Sequence, residues 1–152
     1  PRREGQELPD RTLDTAWGGR KTMTHKLKLA ALEPTYAICR LDGGSPVPEW
    51  AKSASFVSVT RTPEELSIVC PQDGVPVVVT CDGDWRCLRV EGTLDLSLVG
   101  ILASLAGALA DAGVSVFAVS TYDTDYLLVR ARDLAAAEAA LREAGHTVCP
   151  DR

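Results

Sequence analysis

Aromatic residues make up only 5% of this 152-residue chain. That scarcity argues against stacking platforms for nucleic-acid bases. Positive charge is also in short supply: 16 Lys and Arg stand against 21 Asp and Glu, net −5. An acidic chain is a poor tracker of phosphate backbones. No apolar run approaches the roughly 18 residues that a membrane helix needs, so no membrane or nucleic-acid partner is expected. The five cysteines, Cys39, Cys70, Cys81, Cys87 and Cys149, contain no CxxC spacing, and neither histidine lies near Cys81 and Cys87 to complete a zinc set. They read as reduced, mostly buried thiols of a cytoplasmic protein. The chain also lacks GxSxG, HExxH, a P-loop and a Gly-rich dinucleotide fingerprint. Asp123 and Asp125 share one side of a strand by their spacing, but a solvated turn explains them as well as acid–base chemistry does. The expectation is a non-enzyme with no metal and no cofactor.

What is present is the composition of a globular protein, 45% hydrophobic and 24% charged. Residues 1–26 stand apart. They show no apolar periodicity, and their basic residues outnumber acidic ones by 6 to 4. They read as a disordered N-terminal tail, with Met23 as a natural start. A strand pattern, LKLAAL, follows at once.

The second half carries the clearest periodicity. After a strand at Trp85–Val90, Leu98, Ile101, Leu102, Leu105 and Leu109 form one apolar helical stripe across Leu98–Ala112. Asp95 or Ser97 is the candidate cap, and Gly113 the stop. Val114–Val119 and Asp125–Val129 read as strands joined by polar Ser120–Thr124. A helix then runs from Asp133 as N-cap to Gly145, with Glu138 and Arg142 as an i, i+4 pair. His146–Cys149 closes the order strand, helix, strand, strand, helix, strand. Val114, Val116 and Ala118 on one face and Phe117 and Val119 on the other leave the central strand apolar on both sides. One set therefore needs cover, by association through a sheet face or edge.

The chain also repeats itself. At an offset of 60, residues 55–73 align without a gap on 115–133: Ser55 meets Ser115, Val59 meets Val119, Val69 meets Val129 and Asp73 meets Asp133. The first copy has degenerate helices, since Pro46–Lys52 allows barely two turns and Pro76 curtails the next. Two tandem small α+β units follow, residues 27–84 and 85–149.

These features, with Phe56–Pro71 (FVSVTRTPEELSIVCP) and Val114–Leu134 (VSVFAVSTYDTDYLLVRARDL), resemble tandem ACT domains. More narrowly, they are similar to the small standalone bacterial ACT proteins related to the Castor-type cytosolic arginine sensors. The resemblance implies two ferredoxin-like βαββαβ units, helices on one face of an antiparallel sheet, and a regulatory role. It further implies amino-acid binding at an ACT–ACT interface. Gly100 and Ile101 match backbone positions that meet the ligand carboxylate. Thr121, Tyr122 and Asp125 match the stretch lining side chain and amine, and Ser115 and Val116 match a strand approaching from a neighbouring ACT domain. With two units rather than four, that neighbour would come from a second chain in a homodimer.

The residue chemistry is compatible with this. A helix N-terminus suits a carboxylate, Gly100 permits close approach or close helix–sheet packing, and Asp125 suits an amine or a guanidinium. The ligand expected is a free amino acid, basic or simply amino-bearing. Thr60, Arg61 and Thr62 mark a weaker counterpart in the first repeat. The alternative is a ligand-free protein–protein interaction or dimerisation module.

Overall fold

The computed structural model describes residues 26–52, 55–95 and 99–150. The tail expected over residues 1–26, with Met23, lies outside them except for Lys26. Seven strands and two α-helices are described: β1 (Lys28–Leu41), β2 (Ser58–Arg61), β3 (Leu66–Pro71), β4 (Cys81–Val90), α1 (Ile101–Asp111), β5 (Val116–Ser120), β6 (Asp125–Arg130), α2 (Leu134–Glu143) and β7 (Thr147–Pro150). They build one mixed α+β sheet in the order β2-β3-β1-β4-β6-β5, with β7 also on β1. Where the first repeat has room for helices it has single 3-10 turns, Glu49–Ala51 and Gln72–Gly74.

LKLAAL is only the beginning of β1, which continues to Leu41. Pro34 lies inside this strand. It donates no hydrogen bond to a ladder, and the β1–β4 register shifts between Ala31 and Thr35 to accommodate it. The Arg86 guanidinium donates to the Leu32 carbonyl at 3.0 Å, satisfying an acceptor at that irregularity. The same point divides the other edge of β1. Before it, Lys28–Ala31 pairs in parallel with Thr147–Pro150. After it, Tyr36–Leu41 pairs antiparallel with Leu66–Pro71. β7 therefore joins β1 and not β4, and β1 separates them. β4 is one continuous strand from Cys81, longer than the expected 85–90, so the boundary placed at 84/85 falls inside it.

The period-2 alternation sorts side chains to two faces. Leu29, Ala31, Leu88, Val90, Leu127 and Val129 meet Ile101, Leu105 and Leu109 of α1 and Ala137 and Leu141 of α2 in one core. Both helices thus cover the same face, as expected. A smaller core around Ala37, Cys39, Leu66, Ile68 and Cys70 is covered by Ala51, with Trp50 and Val47 packed at its margin. The opposite face carries Leu32, Tyr36, Val69, Trp85, Cys87 and Leu128, capped by Phe56.

The repeated segments become the two edge hairpins, β2–β3 and β5–β6, at opposite ends of the sheet. The sheet curls until these ends face each other. Ser58, Thr60, Ser67 and Val69 look across a cavity of about 230 Å³ at Phe117, Ala118, Val119 and Ser120. Phe117 and Val119 pack against the Phe56–Trp85 cluster. The cover they require is thus supplied within the chain by the curl, and β5 gives no separate argument for association.

Element ends differ from expectation in detail. α1 begins at Ile101 with Gly100, which has no side chain to cap it, at its N-cap. Asp95 lies five residues before Gly100, and Ser97 and Leu98 lie outside the described residues. Asp133 flanks α2 without a side-chain capping bond, because a 3-10 turn, Ala131–Asp133, leads into the helix. The Arg142–Glu138 pair forms at 3.0 Å. Gly113 and Gly145 follow the helices with positive φ, as their stop positions require.

Candidate functional site

The β5–β6 hairpin is held by its own hydroxyls. Thr121 N–H donates to Thr124 O at 2.9 Å, and Thr124 N–H donates back to Thr121 Oγ1 at 3.2 Å. Asp125 stands opposite Ser120 in the ladder, and its Oδ1 accepts the Ser120 hydroxyl at 2.6 Å. The turn is anchored to the rest of the molecule twice. Thr124 Oγ1, buried, donates to Val90 O at 2.7 Å, and Leu94 N–H donates to Asp123 O at 2.7 Å. The second bond ties the hairpin to the segment leading into α1.

Between hairpin and helix start lies a cavity of about 160 Å³, lined by Leu94, Asp95, Ile101 and Ser120–Asp125. Its apolar wall is Leu94 and Ile101, its hydroxyls are Ser120, Thr121 and Thr124, and its charge is wholly acidic: Asp95, Asp123 and Asp125. The first N–H groups of α1 have no intrahelical partner, and the helix dipole adds about half a positive charge there. The pocket therefore offers donors for an anion at the helix end and acceptors for a cation at the hairpin.

Of the expected residues, Ile101, Thr121, Tyr122 and Asp125 come together here. Gly100 sits one residue outside the lining, at the helix cap. Its φ of +85° is the reason for glycine, since a Cβ there would meet nothing within 4 Å. Close helix–sheet packing is excluded as the explanation. Ser115 and Val116 do not reach this cavity. They precede Ser120 by five and four residues along the strand, roughly 13–17 Å at strand rise. Leu94, Asp95, Ser120, Asp123 and Thr124 line the cavity without having been named as ligand contacts from the sequence. The turn-forming run STYDTD held three of them, and the only signal for Asp95 was its place before the helix.

The first hairpin has the same turn chemistry. Thr62 N–H donates to Glu65 O at 2.8 Å, and Thr62 Oγ1 accepts from Glu64 and Glu65 N–H. Arg61 then reaches across to the loop after β1, donating to the carbonyls of Gly43 and, at 2.8 Å, of Ser45. Gly43 is required there, since a Cβ would lie 2.4 Å from Pro63 O. The counterpart position is occupied by the chain's own guanidinium.

A family model described as ACT domain matches residues 80–143, and a second model, of an N-terminal domain, matches residues 34–77. The crystal structure of Atu0741 from Agrobacterium tumefaciens is 39% identical, with a TM-score of 0.79 over 84% of this chain and 96% of that one. The chain belongs to the ACT-domain family. It is related to the Castor-type sensors: the human protein CASTOR3P is 33% identical over 92 residues, and the bovine cytosolic arginine sensor for mTORC1 subunit 1 is 30% identical over 90. Each match covers 52% of this ACT protein, but 56% of CASTOR3P and 27% of the arginine sensor. The chain thus aligns with about half the length of one relative and about a quarter of the other. The regulatory subunit of aspartate kinase from Thermus thermophilus shares the fold at 13% identity, with a TM-score of 0.56 over 76% of this chain and 96% of that one. Among the described residues, no helix is long and apolar enough to cross a membrane.

Proposed function

We propose that this ACT protein is a non-catalytic, cytoplasmic regulatory module that binds a free amino acid between the start of α1 and the β5–β6 hairpin. The observation that carries the reading is the cavity itself, which joins the start of α1 to three carboxylates on one short hairpin and its neighbouring loop. The ligand's α-carboxylate lies at the Gly100–Ile101 end, and its amino or guanidinium group faces Asp125. The acidic lining favours a basic amino acid, in keeping with relatives named as arginine sensors.

At about 160 Å³ the cavity is smaller than the roughly 300–1,000 Å³ of complete ligand pockets. It has the size of a half-site. A second copy of the chain, presenting Ser115 and Val116, completes it in a two-fold dimer of tandem ACT units that share β4. Occupancy then favours one placement of the units and is passed to a downstream partner.

Thermal unfolding against the twenty amino acids tests this. At 100 times Kd a ligand stabilises by about 2.7 kcal/mol, and Tm should rise with one or two amino acids only. Asp125→Ala should abolish the rise while leaving the unliganded Tm nearly unchanged. A flat panel would refute the binding reading and favour a ligand-free interaction module.

A further inference from the structure

Three of the five cysteines lie together, away from the cavity just described. Cys39 on β1 faces Cys81 on β4 directly in the antiparallel register. On the other side of β1, Cys70 pairs with Ala37, two residues from Cys39 and on the same face. Cys70 and Cys81 thus flank Cys39 across the two ladders of β1. Cys87 belongs to the opposite face, and Cys149 lies at the β7 end of β1 opposite Ala30.

The ladder fixes the geometry of the 39/81 pair. Arg40 N–H donates to Thr80 O at 2.9 Å, which makes 40/80 a hydrogen-bonded pair and the next, Cys39/Cys81, a non-hydrogen-bonded one. Such pairs bring Cα atoms to about 4.5 Å, inside the roughly 4.4–6.8 Å that a disulfide spans. No backbone movement is needed. The two thiols also differ in access. Cys81 is exposed at the start of β4, whereas Cys39 is 1% exposed.

We propose that Cys39 and Cys81 are an oxidisable dithiol that closes to a cross-strand disulfide when a peroxide reaches Cys81. The Cys81 thiol releases its proton to water, and the thiolate attacks one oxygen of hydrogen peroxide. The O–O bond breaks and hydroxide leaves, giving a sulfenic acid on Cys81. The Cys39 sulfur then attacks the Cys81 sulfur, losing its own proton as the S–S bond forms and the S–O bond breaks. The departing hydroxide takes up a proton. Two thiols are oxidised, one peroxide is reduced, and two waters are released. Burial and its neighbouring thiols push the Cys39 thiol up to about 12. Cys39 therefore waits as the resolving group while exposed Cys81 meets the oxidant.

The full chain, fully reduced and then pulsed with hydrogen peroxide and quenched by alkylation, gives the test. Intact mass should fall by two hydrogens before alkylation, and the oxidised chain should then take up three alkyl groups where the reduced chain takes five. Digestion with trypsin and Asp-N, which cuts before Asp73 and so separates Cys70 from Cys81, should yield the Cys39 peptide joined to the Cys81 peptide. The link should vanish in Cys81→Ser, an exposed change that spares the core, and persist in Cys149→Ser. The proposal is overturned by a Cys39 disulfide that survives Cys81→Ser, by a Cys70–Cys81 link, by chain-to-chain dimers through Cys81, or by no link at all.

Discussion

Phe56 stacks face to face on Tyr126, ring centroids 4.2 Å apart and planes 14° from parallel. One ring precedes β2 in the first repeat and the other lies on β6 in the second, so this contact closes the curl of the sheet. Phe56 also meets Tyr36 edge-on at 5.7 Å. Phe56→Ala should therefore cost about 3–5 kcal/mol, as truncation of a buried Phe does, and Phe56→Leu distinctly less. In a double-mutant cycle with Tyr126→Ala, urea unfolding should give a coupling of about 0.5–1.5 kcal/mol beyond the burial terms. Additive losses would mean that the rings touch without holding the ends together.

The helices and edge hairpins were legible in the chain because their signals are local. Leu105 and Leu109 fall where the helical period puts them, and the 55–73 and 115–133 match identifies the hairpins before any pairing is known. The placement of β7 was not legible. Val148 is as apolar as a strand beside β4 requires, and nothing in the pattern says that β1 lies between them. The full length of β1 was hidden by Pro34, which reads as a strand breaker until Arg86 and the register shift accommodate it. Within the pocket, Thr121, Tyr122 and Asp125 stand on one hairpin and were found together. Asp95 comes from a non-periodic loop and joins them through the Leu94–Asp123 bond, a long-range contact that no sequence spacing encodes.

His146 introduces a pH dependence. Its side chain is buried, Nδ1 accepts the Leu27 N–H at 3.3 Å, and Nε2 has no hydrogen-bond partner among the described residues. Burial disfavours the imidazolium and lowers the pKa below its ordinary 6.5. As pH falls below that value, the unfolded chain takes up a proton that the folded one refuses. Stability should therefore be level above 6.5 and decline below it, down to the folded pKa. Asp82, whose carboxylate is held below its ordinary 3.8 by Arg130, loses its contribution only in more acidic solution. Denaturant midpoints between pH 7.5 and 5 thus isolate the histidine. His146→Asn, which retains an acceptor near Nδ1, should flatten the profile there, whereas an unchanged slope would assign it to another group.

Gly100 should be sensitive to substitution for conformational reasons alone. Its φ is +85°, and nothing lies within 4 Å of the place a methyl group would take. Gly100→Ala should lower stability by about 1–2 kcal/mol, the usual penalty for a Cβ in left-handed backbone. Gly100→Asn should recover part of it, because Asn tolerates that region better. Equal losses in the two variants, measured by thermal unfolding without ligand, would point to steric crowding and against the backbone explanation.

Thr124 has the tightest structural role in the pocket, and its hydroxyl can be removed with little change in shape. Thr124→Val leaves the Val90 carbonyl without the 2.7 Å bond it now accepts, in a buried position where an unmet acceptor costs roughly 1–3 kcal/mol. Thr121 is exposed, and its own hydroxyl bonds stay within the turn, so Thr121→Ala should cost less than half as much. The two variants also separate fold from site. If the hairpin is positioned through Thr124, its loss should speed amide exchange at Leu94 and Thr121, the two N–H groups that close the turn and tie it to the loop before α1. Unchanged exchange at both, with the full stability loss, would show that Thr124 serves β4 packing and that the Leu94–Asp123 bond alone sets the turn.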